Sequence, residues 1–197
     1  MSSSQFLRRA LAGAALACAS VVLYSVWPAP VPAAVKAAKD RKVAAAFTLK
    51  DATNANVRLL DYKGKVVLLN FWATWCGPCK MEIPWFIEFE KTYESRGFAV
   101  LGISMDDEGW SAVKPYIAAQ KINYRVALGN DHVAQLYGGI DSLPTTLLID
   151  RDGRVASLHV GLVNRSDYAN EIRQLLASDR RAGGDEPVDP AARTESR

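Results

Sequence analysis

The amino-acid sequence predicts an α/β fold in which a central mixed sheet is flanked by helices on both faces. A continuous apolar run, Val66–Phe71, has the composition of a strand that is buried on both sides. A helix pattern and a second apolar run follow it, as in a βαβ unit. Later in the chain, Asp150–Gly153 separates two strand-like runs and has the composition of a hairpin turn. Together these segments indicate that parallel and antiparallel strands share one sheet.

The remaining elements follow from apolar periodicity and from residues that begin or stop helices. The helix after the first strand should run from Cys79 to Ser95, where Gly97 stops it. Ser166 should cap the last helix, which runs to about Ala177. Between these helices the sequence predicts strands at 99–103 and 124–128, helices at 110–120 and 133–137, and the two hairpin strands at 145–149 and 155–159.

The distribution of charge argues against a nucleic-acid-binding domain. The whole chain carries a formal charge of +3. The segment 47–177 contains fourteen basic and fifteen acidic residues, so the positive excess lies in the residues before it. A domain that binds nucleic acid would need a basic face of its own, and we therefore expect no nucleic-acid partner.

The N-terminal segment has the pattern of a membrane anchor. Two consecutive arginines precede a charge-free apolar stretch over 10–27, which ends with Tyr24 and Trp27, where interfacial aromatic residues belong. We expect residues 1–9 on the cytoplasmic side and the folded domain outside the cytoplasm. Cleavage as a signal peptide and lipid attachment at Cys18 are the alternatives.

Two further segments flank the folded domain, which the sequence places at 47–177. Residues 28–46 are rich in Pro, Ala and Lys without apolar periodicity, as in a semi-rigid linker. Residues 178–197 contain mixed charges, two glycines and two prolines, a composition typical of a disordered tail.

Cys76 and Cys79 are the candidate reactive residues of the chain. They lie where the first buried strand passes into the following helix. A helix N-terminus presents unpaired N–H groups and the positive end of the helix dipole, so a thiolate at Cys76, at the exposed start of the helix, should be stabilised. Cys79, one turn further in, should be shielded and stay a thiol until a mixed disulfide forms. Gly77 lets the chain turn closely, and Pro78 is tolerated because first-turn amides lack helical partners.

Other uses of a Cys-x-x-Cys pair fit this sequence less well. A structural zinc site takes four ligands, and His132 and His159 lie in different segments. Covalent haem attachment needs a histidine directly after the second cysteine, where this chain has Lys80. A bridge between residues so close in sequence would brace the fold little. We therefore expect redox chemistry with no metal and no cofactor beyond the cysteine pair itself.

The motifs of this chain resemble those of a known family. Residues 70–80 read Asn-Phe-Trp-Ala-Thr-Trp-Cys-Gly-Pro-Cys-Lys, followed by Glu-Ile-Pro at 82–84 and by Leu-Pro-Thr-Thr at 143–146. This combination resembles the TlpA-like (ResA/CcmG-type) branch of the thioredoxin superfamily, a group of bacterial membrane-anchored thiol–disulfide oxidoreductases. The resemblance covers about residues 47–177. It implies a thioredoxin-like fold in which residues 110–128 form the extra helix and strand of that branch.

The resemblance also implies roles for individual residues. Pro144 corresponds to the cis-proline of the superfamily, which lies next to the cysteine pair and lets the backbone of Leu143 pair with a substrate peptide; a trans proline at a strand start is the alternative. Asn70 occupies the position of a buried aspartate in cytoplasmic thioredoxins. Because an amide cannot accept a proton, Glu82 is the candidate acid/base for Cys79. A surface glutamate that the helix dipole favours is the alternative.

The other candidates surround the cysteine pair. Trp75, Gly77 and Pro78 should contribute to the surface that a substrate peptide contacts. Trp72 belongs either to this apolar rim or to the core. The two histidines are expected to be structural or surface residues.

These residues predict an enzyme that reduces disulfides in extracytoplasmic partner proteins, because Gly-Pro between the cysteines is the thioredoxin arrangement. The resemblance implies a domain that faces the periplasm from the bacterial inner membrane, or a soluble periplasmic protein after cleavage. It also implies an upstream membrane thiol reductant, and disulfide-containing partners that include apocytochromes c. A thiol peroxidase is one alternative, but the sequence before Cys76 lacks the proline of a Pro-x-x-x-Thr-x-x-Cys site. A copper carrier is another, although such carriers in this superfamily typically space their cysteines by three residues.

Overall fold

A five-stranded mixed sheet lies at the centre of the structure, a computed structural model that describes residues 35–178. Two short strands, β1 (Thr48–Lys50) and β2 (Asn56–Arg58), form a separate antiparallel ribbon before it. The strands of the sheet are β3 (Val66–Trp72), β4 (Phe98–Ser104), β5 (Arg125–Leu128), β6 (Thr145–Ile149) and β7 (Val155–Val160). The helices are α1 (Gly77–Tyr93), α2 (Trp110–Gln120), α3 (Asp131–Leu136) and α4 (Arg165–Ser178), with short 3-10 turns at Ala38–Asp40, Leu59–Tyr62 and Glu94–Arg96.

The order of the strands explains how one sheet contains both parallel and antiparallel pairs. β5, β4 and β3 are parallel neighbours, whereas β6 pairs antiparallel with β3, and β7 with β6. Parallel strands cannot be joined by a tight turn, so α1 crosses over between β3 and β4, and α2 does so between β4 and β5. The predicted mixed α/β sheet is confirmed, and α2 with β5 is the helix and strand predicted at 110–128.

Alternate residues of β3 point to opposite faces of the sheet and build two hydrophobic clusters. Leu68 and Trp72 belong to the cluster beneath α1, α2 and α4, whereas Leu69 and Phe71 belong to the cluster on the other face. The second cluster is covered by α3 and by the β1–β2 ribbon. Burying one such side chain stabilises a fold by roughly 1.5–3 kcal/mol, so both covering layers help to hold β3 in place.

The bounds of three helices differ from the predicted ones: α3 (Asp131–Leu136) begins two residues before its predicted range of 133–137 and ends one residue before the end of that range. α1 begins at Gly77 rather than at Cys79, and it passes through a 3-10 turn before Gly97, whose φ of 80° gives the left-handed conformation that ends it. α4 begins at Arg165, so Ser166 lies inside its first turn. The prediction that Ser166 caps this helix is therefore wrong, because a cap residue precedes the first helical residue.

Residues 35–46, part of the predicted linker, pack along the β6–β7 hairpin. The Lys36 N–H donates to the Ala156 carbonyl over 2.8 Å, and the Ala44 N–H donates to the Gly153 carbonyl over 2.9 Å. Ala44 is also buried. The folded region therefore begins before residue 47, because backbone pairing with a hairpin needs no apolar periodicity in the added segment.

Within residues 35–178, no helix combines the length and the apolar composition that a membrane crossing requires. The N-terminus predicted at 1–9, the anchor predicted at 10–27, the first part of the predicted linker and the tail from residue 179 onward lie outside the described residues. These assignments stay predictions.

Arg41 joins the segment 35–46 to the hairpin turn. Its guanidinium lies 2.9 Å from Asp150 Oδ2, and only 10% and 11% of the two side chains are exposed. Removal of one partner leaves a shielded charge without its counterpart. Arg41→Ala should therefore lower the free energy of unfolding by about 1–3 kcal/mol in a urea titration.

Arg58→Ala provides the control, because Arg58 pairs with Asp61 at the surface, where the side chains are 58% and 37% exposed. Exposed pairs of this kind contribute about 0–1 kcal/mol. Equal losses in the two variants would contradict the assignment of Arg41 as an anchor of the segment 35–46.

Candidate active site

The two cysteines of the motif form a disulfide at the junction of β3 and α1. Their sulfur atoms are 2.01 Å apart, and Cys76 is the N-cap residue of α1. The Cys79 backbone N–H donates a hydrogen bond to Cys76 Sγ over 3.2 Å. Once the disulfide is reduced, this N–H and the positive end of the helix dipole can stabilise a thiolate at Cys76.

Both cysteines are largely covered by the surrounding chain. Cys76 is 4% exposed and Cys79 is 1% exposed, so the expectation that Cys76 lies at an exposed position is wrong. The reason is that Cys76 packs into the hydrophobic cluster beneath α1, together with Cys79. The surface beside the disulfide is formed by Trp75, which is 64% exposed, and by the exposed Gly77 and Pro78.

Gly77 relieves no close contact within the described residues. A Cβ atom built at this position would meet no atom of another segment of the described chain within 4 Å, so the absence of a side chain at Gly77 is not needed to make room for a neighbouring segment. Its missing side chain instead leaves open space beside the disulfide. Pro78 occupies the first turn of α1, as predicted, where its missing N–H leaves no helical hydrogen bond unmade.

The Leu143–Pro144 peptide bond is cis, as the resemblance implied, and the trans alternative is wrong. Antiparallel pairing of Thr145 with Phe71 brings this peptide to the end of β3 from which the chain enters the cysteine motif. Pro144 is buried, and its carbonyl accepts a hydrogen bond from the Gly161 N–H over 2.8 Å. Leu143 is half-buried and packs against both hydrophobic clusters.

Glu82 lies one turn after Cys79 on α1 and is 0% exposed. The Tyr168 hydroxyl donates a hydrogen bond to Glu82 Oε1 over 3.0 Å. Burial raises the pKa of Glu82 to about 7. The hydrogen bond from Tyr168, the nearby Val163 backbone and the electrostatic effect of His159 act on this pKa in the opposite direction. The surface alternative is therefore wrong, and the carboxyl group can change its protonation state near neutral pH.

Asn70 and Trp72 both belong to the interior. The Asn70 side chain donates a hydrogen bond to Thr146 Oγ1 over 2.9 Å, and it has no carboxylate with which to accept a proton. Trp72 is fully buried and packs on Tyr116, with ring centroids 5.5 Å apart. Of the two candidate tryptophans, Trp75 is the one that provides exposed surface.

One brace of the site was not predicted from the sequence. Asp106, which is 7% exposed, follows β4 and accepts hydrogen bonds from the Thr74 N–H over 3.0 Å and from Ser104 Oγ over 2.8 Å. It thereby fixes the loop between β3 and Cys76. Two further acidic residues follow Asp106 directly, so no local pattern distinguishes it from a surface charge.

A second feature of the site that the sequence did not predict comes from the C-terminal helix α4. Tyr168 reaches Glu82 from a position 86 residues away in sequence, and a single aromatic residue in a helix pattern predicts only core packing. His159 is buried beside Tyr168, whereas His132 is exposed. The two histidines thus have the structural and surface positions that the sequence predicted.

A mixed sheet that carries a Cys-x-x-Cys disulfide at a helix N-terminus, close to a cis-proline, defines a thioredoxin-like thiol–disulfide oxidoreductase. The AhpC/TSA family model matches residues 41–158, and the chain belongs to this family. The thiol-disulfide oxidoreductase ResA of Bacillus subtilis (strain 168) is 35% identical over 130 residues, which cover 64% of this chain and 72% of the relative. ResA of Geobacillus thermodenitrificans (strain NG80-2) is 32% identical over 130 residues, with coverage of 66% and 74%.

A solved structure shares the fold. The crystal structure of a thiol:disulfide interchange protein, a thioredoxin family protein from Chlorobium tepidum TLS, superimposes with a TM-score of 0.65 at 32% identity and covers 71% of this chain and 99% of that chain. The predicted resemblance to ResA-type members of the thioredoxin superfamily is confirmed. The chain is an enzyme of the thiol–disulfide oxidoreductase class, as the sequence predicted.

The raised pKa of Glu82 makes the stability of the oxidised protein depend on pH. In the unfolded chain Glu82 loses its proton near its ordinary pKa of 4.5, whereas in the folded protein it keeps the proton up to about pH 7. The unfolded state therefore binds fewer protons over this range. Glu82 should lower the free energy of unfolding by about 3 kcal/mol as the pH rises from about 4.5 to 7. Glu82→Gln should remove this part of the pH dependence in urea titrations.

Glu88→Gln is the matched control on the same helix, because 57% of the Glu88 side chain is exposed. This variant should keep the pH dependence of the wild-type protein. An identical pH dependence in wild type and Glu82→Gln would show that Glu82 titrates near its ordinary pKa in the folded protein.

Proposed function

We propose that the protein is an extracytoplasmic protein-disulfide reductase in which Cys76 attacks the substrate and Cys79 resolves the mixed disulfide. The observation that carries the proposal is the different placement of the two sulfur atoms. Cys76 is the N-cap of α1 beside open surface, while Cys79 lies further into the core, one turn before the buried Glu82. An attacking thiol needs a stabilised thiolate at an accessible edge, and a resolving thiol needs shielding and a base.

In the proposed direction, the Cys76–Cys79 dithiol passes two electrons to a substrate disulfide. The Cys76 thiolate attacks one substrate sulfur, so a mixed disulfide forms, the substrate S–S bond breaks, and the released thiolate takes a proton from water. Cys79 then gives its proton to the Glu82 carboxylate, and its sulfur attacks Cys76. The Cys76–Cys79 disulfide forms as the bond to the substrate breaks, and the second substrate thiolate leaves and is protonated.

Glu82 is suited to take this proton for two reasons. The i,i+3 spacing places Cys79 and Glu82 on one side of α1, and both are buried there. The pKa of about 7, which burial produces, lets the carboxyl accept and return a proton near neutral pH. Asn70, a buried polar residue on the central strand β3, can do neither.

We assign substrate binding to the surface on the two sides of the disulfide. On one side Trp75 offers an exposed apolar ring, and the open space at Gly77 leaves room for a peptide backbone. On the other side, the backbone of Leu143 before the cis-proline is the candidate for pairing with an extended peptide. Backbone pairing depends little on the side chains of the partner, so this surface suits more than one substrate protein.

We further propose that the domain faces the periplasm of a bacterial cell from an anchor at 10–27. The support is the pair of arginines before an apolar stretch with an aromatic end. In this compartment a membrane thiol reductant would return the domain to its dithiol form. Its substrates would be proteins with paired cysteines, apocytochromes c among them. The exchange requires no metal and no further cofactor, since the cysteine pair carries both electrons.

Cys79→Ser should convert the full-length protein into a trap for its partners. The entry thiol remains while the resolving thiol is lost, so mixed disulfides with extracytoplasmic proteins should accumulate and collapse on treatment with a reductant. Non-reducing electrophoresis and mass spectrometry of the adducts measure this. Cys76→Ser is the matched control and should give few or no adducts.

The redox state of the wild-type protein in the cell shows the direction of exchange, and the adduct experiment also tests the two alternative functions. A reductase should be mostly dithiol in the cell, whereas a mostly disulfide form would indicate an oxidant. Rapid peroxide consumption through Cys76 without protein adducts would replace the proposal by a thiol peroxidase. Tight copper binding by the reduced protein, again without adducts, would favour a copper carrier.

The wild-type protein should stay in the membrane fraction with its N-terminal segment intact. Fractionation followed by mass analysis of the mature chain measures this directly. A soluble periplasmic chain that begins near Ala34 would show that the segment at 10–27 is cleaved rather than retained.

A further inference from the structure

We propose that Tyr168 is a positioning residue of the active site: its hydroxyl holds the Glu82 carboxyl in the orientation and charge state from which it exchanges a proton with Cys79. The inference rests on the proposed reductase reaction, because it assigns Glu82 its fixed partner. That partner comes from α4, 86 residues after Glu82 in the chain.

The contact between the two side chains has a defined direction. Tyr168 is fully buried, and its hydroxyl lies 3.0 Å from Glu82 Oε1. Burial, together with the nearby charge of Glu82, raises the pKa of Tyr168 above its ordinary value, so the phenol keeps its proton and acts as the donor. A donor of this kind stabilises the carboxylate and opposes the effect of burial on Glu82.

The ring of Tyr168 is held from two sides. Phe86 of α1 meets it edge to face at a centroid distance of 5.4 Å, and His159 of β7 does so at 5.2 Å. Such contacts restrict rotation of the ring and of the bond that carries it. The hydroxyl therefore keeps its direction toward Glu82.

A second layer of buried polar groups fixes His159. Its Nε2 lies 2.9 Å from Glu171 Oε2, and Ser157 Oγ donates to the same carboxylate oxygen over 2.6 Å. Glu171 stands one turn after Tyr168 on α4, and all three members of this layer are buried. A continuous row of buried groups thus runs from Ser157 to Glu82, in which each member limits the movement of the next.

Several titratable groups face Glu82 from the elements packed against it, and Tyr168 differs from the rest in bonding to it. The groups are Cys79 on α1, Tyr168 on α4, His159 on β7, and Tyr124 in the loop before β5, while Glu171 acts on Tyr168 from the next turn of α4. Burial raises the pKa of Tyr124 as well, but its hydroxyl forms no hydrogen bond within residues 35–178. The side-chain hydrogen bond to Glu82 comes from Tyr168.

Tyr168→Phe in the full-length oxidised chain tests the proposal without requiring a substrate. Loss of the donor should raise the pKa of Glu82 by about one pH unit, because a hydrogen bond to a charged group is lost from one protonation state only. Carbon-13 NMR titration of the Glu82 side-chain carboxyl measures the shift, with Glu82→Gln identifying its resonance. The pH at which a preformed mixed disulfide is resolved at half its maximal rate should rise by the same amount.

Tyr137→Phe is the matched control. Tyr137 is a second shielded tyrosine whose hydroxyl donates a hydrogen bond, to the Ala45 carbonyl over 2.7 Å, but it packs against the cluster on the other face of the sheet. This variant should leave the titration of Glu82 unchanged. A folded Tyr168→Phe protein in which Glu82 titrates as in wild type, or shifts no more than in Tyr137→Phe, would overturn the proposal and leave Tyr168 as core packing.

A second substitution tests the opposite direction while keeping the ring and the hydroxyl. Placement of 3-fluorotyrosine at position 168 makes the phenol more acidic and a stronger donor, so the pKa of Glu82 should fall rather than rise. An unchanged pKa would again count against the proposal. Failure of the reductase function would appear as an absence of adducts with Cys79→Ser, whereas failure of the Tyr168 proposal would appear only in the titration of Glu82.

Discussion

The burial of Glu82, one turn after Cys79 on α1, is the constraint on which the rest of the candidate active site depends. Its pKa is raised from the ordinary 4.5 to about 7. Ionisation of this carboxyl therefore destabilises the folded protein by about 3 kcal/mol. That is a large share of the 5–15 kcal/mol by which domains are typically stable. The apolar contacts that hold α1 and α4 against the sheet must offset it. An ionisable group that can take up a proton near neutral pH is available to the site only because two hydrophobic layers keep the fold together around it.

The topology of the sheet explains why the reactive parts meet at one edge. β3 runs parallel to β4 and antiparallel to β6, so the end of β3 and the start of β6 lie side by side. The first places Cys76 and the second places Pro144. The end of β4 lies at the same edge, where Asp106 braces the loop that leads into Cys76. The carboxyl ends of parallel strands in open α/β sheets commonly carry sites for this reason.

Local signals in the sequence predicted the five strands of the central sheet, its four helices and the cysteine pair. They did not predict the β1–β2 ribbon or the contacts between distant segments. The helix at 110–120 is found at its predicted bounds because apolar periodicity is a local property. Residues 35–46 were missed because they join the hairpin through backbone groups, which no side-chain pattern reports. The burial of Cys76 and the contact of Tyr168 with Glu82 depend on which elements cover the start of α1. That arrangement is set by packing across 86 residues of chain, and neither motif nor composition encodes it locally.

The position of Glu82 also couples proton transfer to electron transfer under the proposed reaction. A thiolate at Cys76 in the reduced enzyme adds negative charge within the first turns of α1, and a like charge nearby favours the protonated form of Glu82. Attack on a substrate converts this thiolate into a neutral mixed disulfide and removes that effect. The carboxylate form of Glu82 then becomes more populated at the step in which Cys79 must lose its proton. The hydrogen bond from Tyr168 acts in the same sense, because it stabilises the carboxylate that accepts this proton. The base therefore becomes available after the substrate is bound, which limits the time in which both cysteines are thiolates.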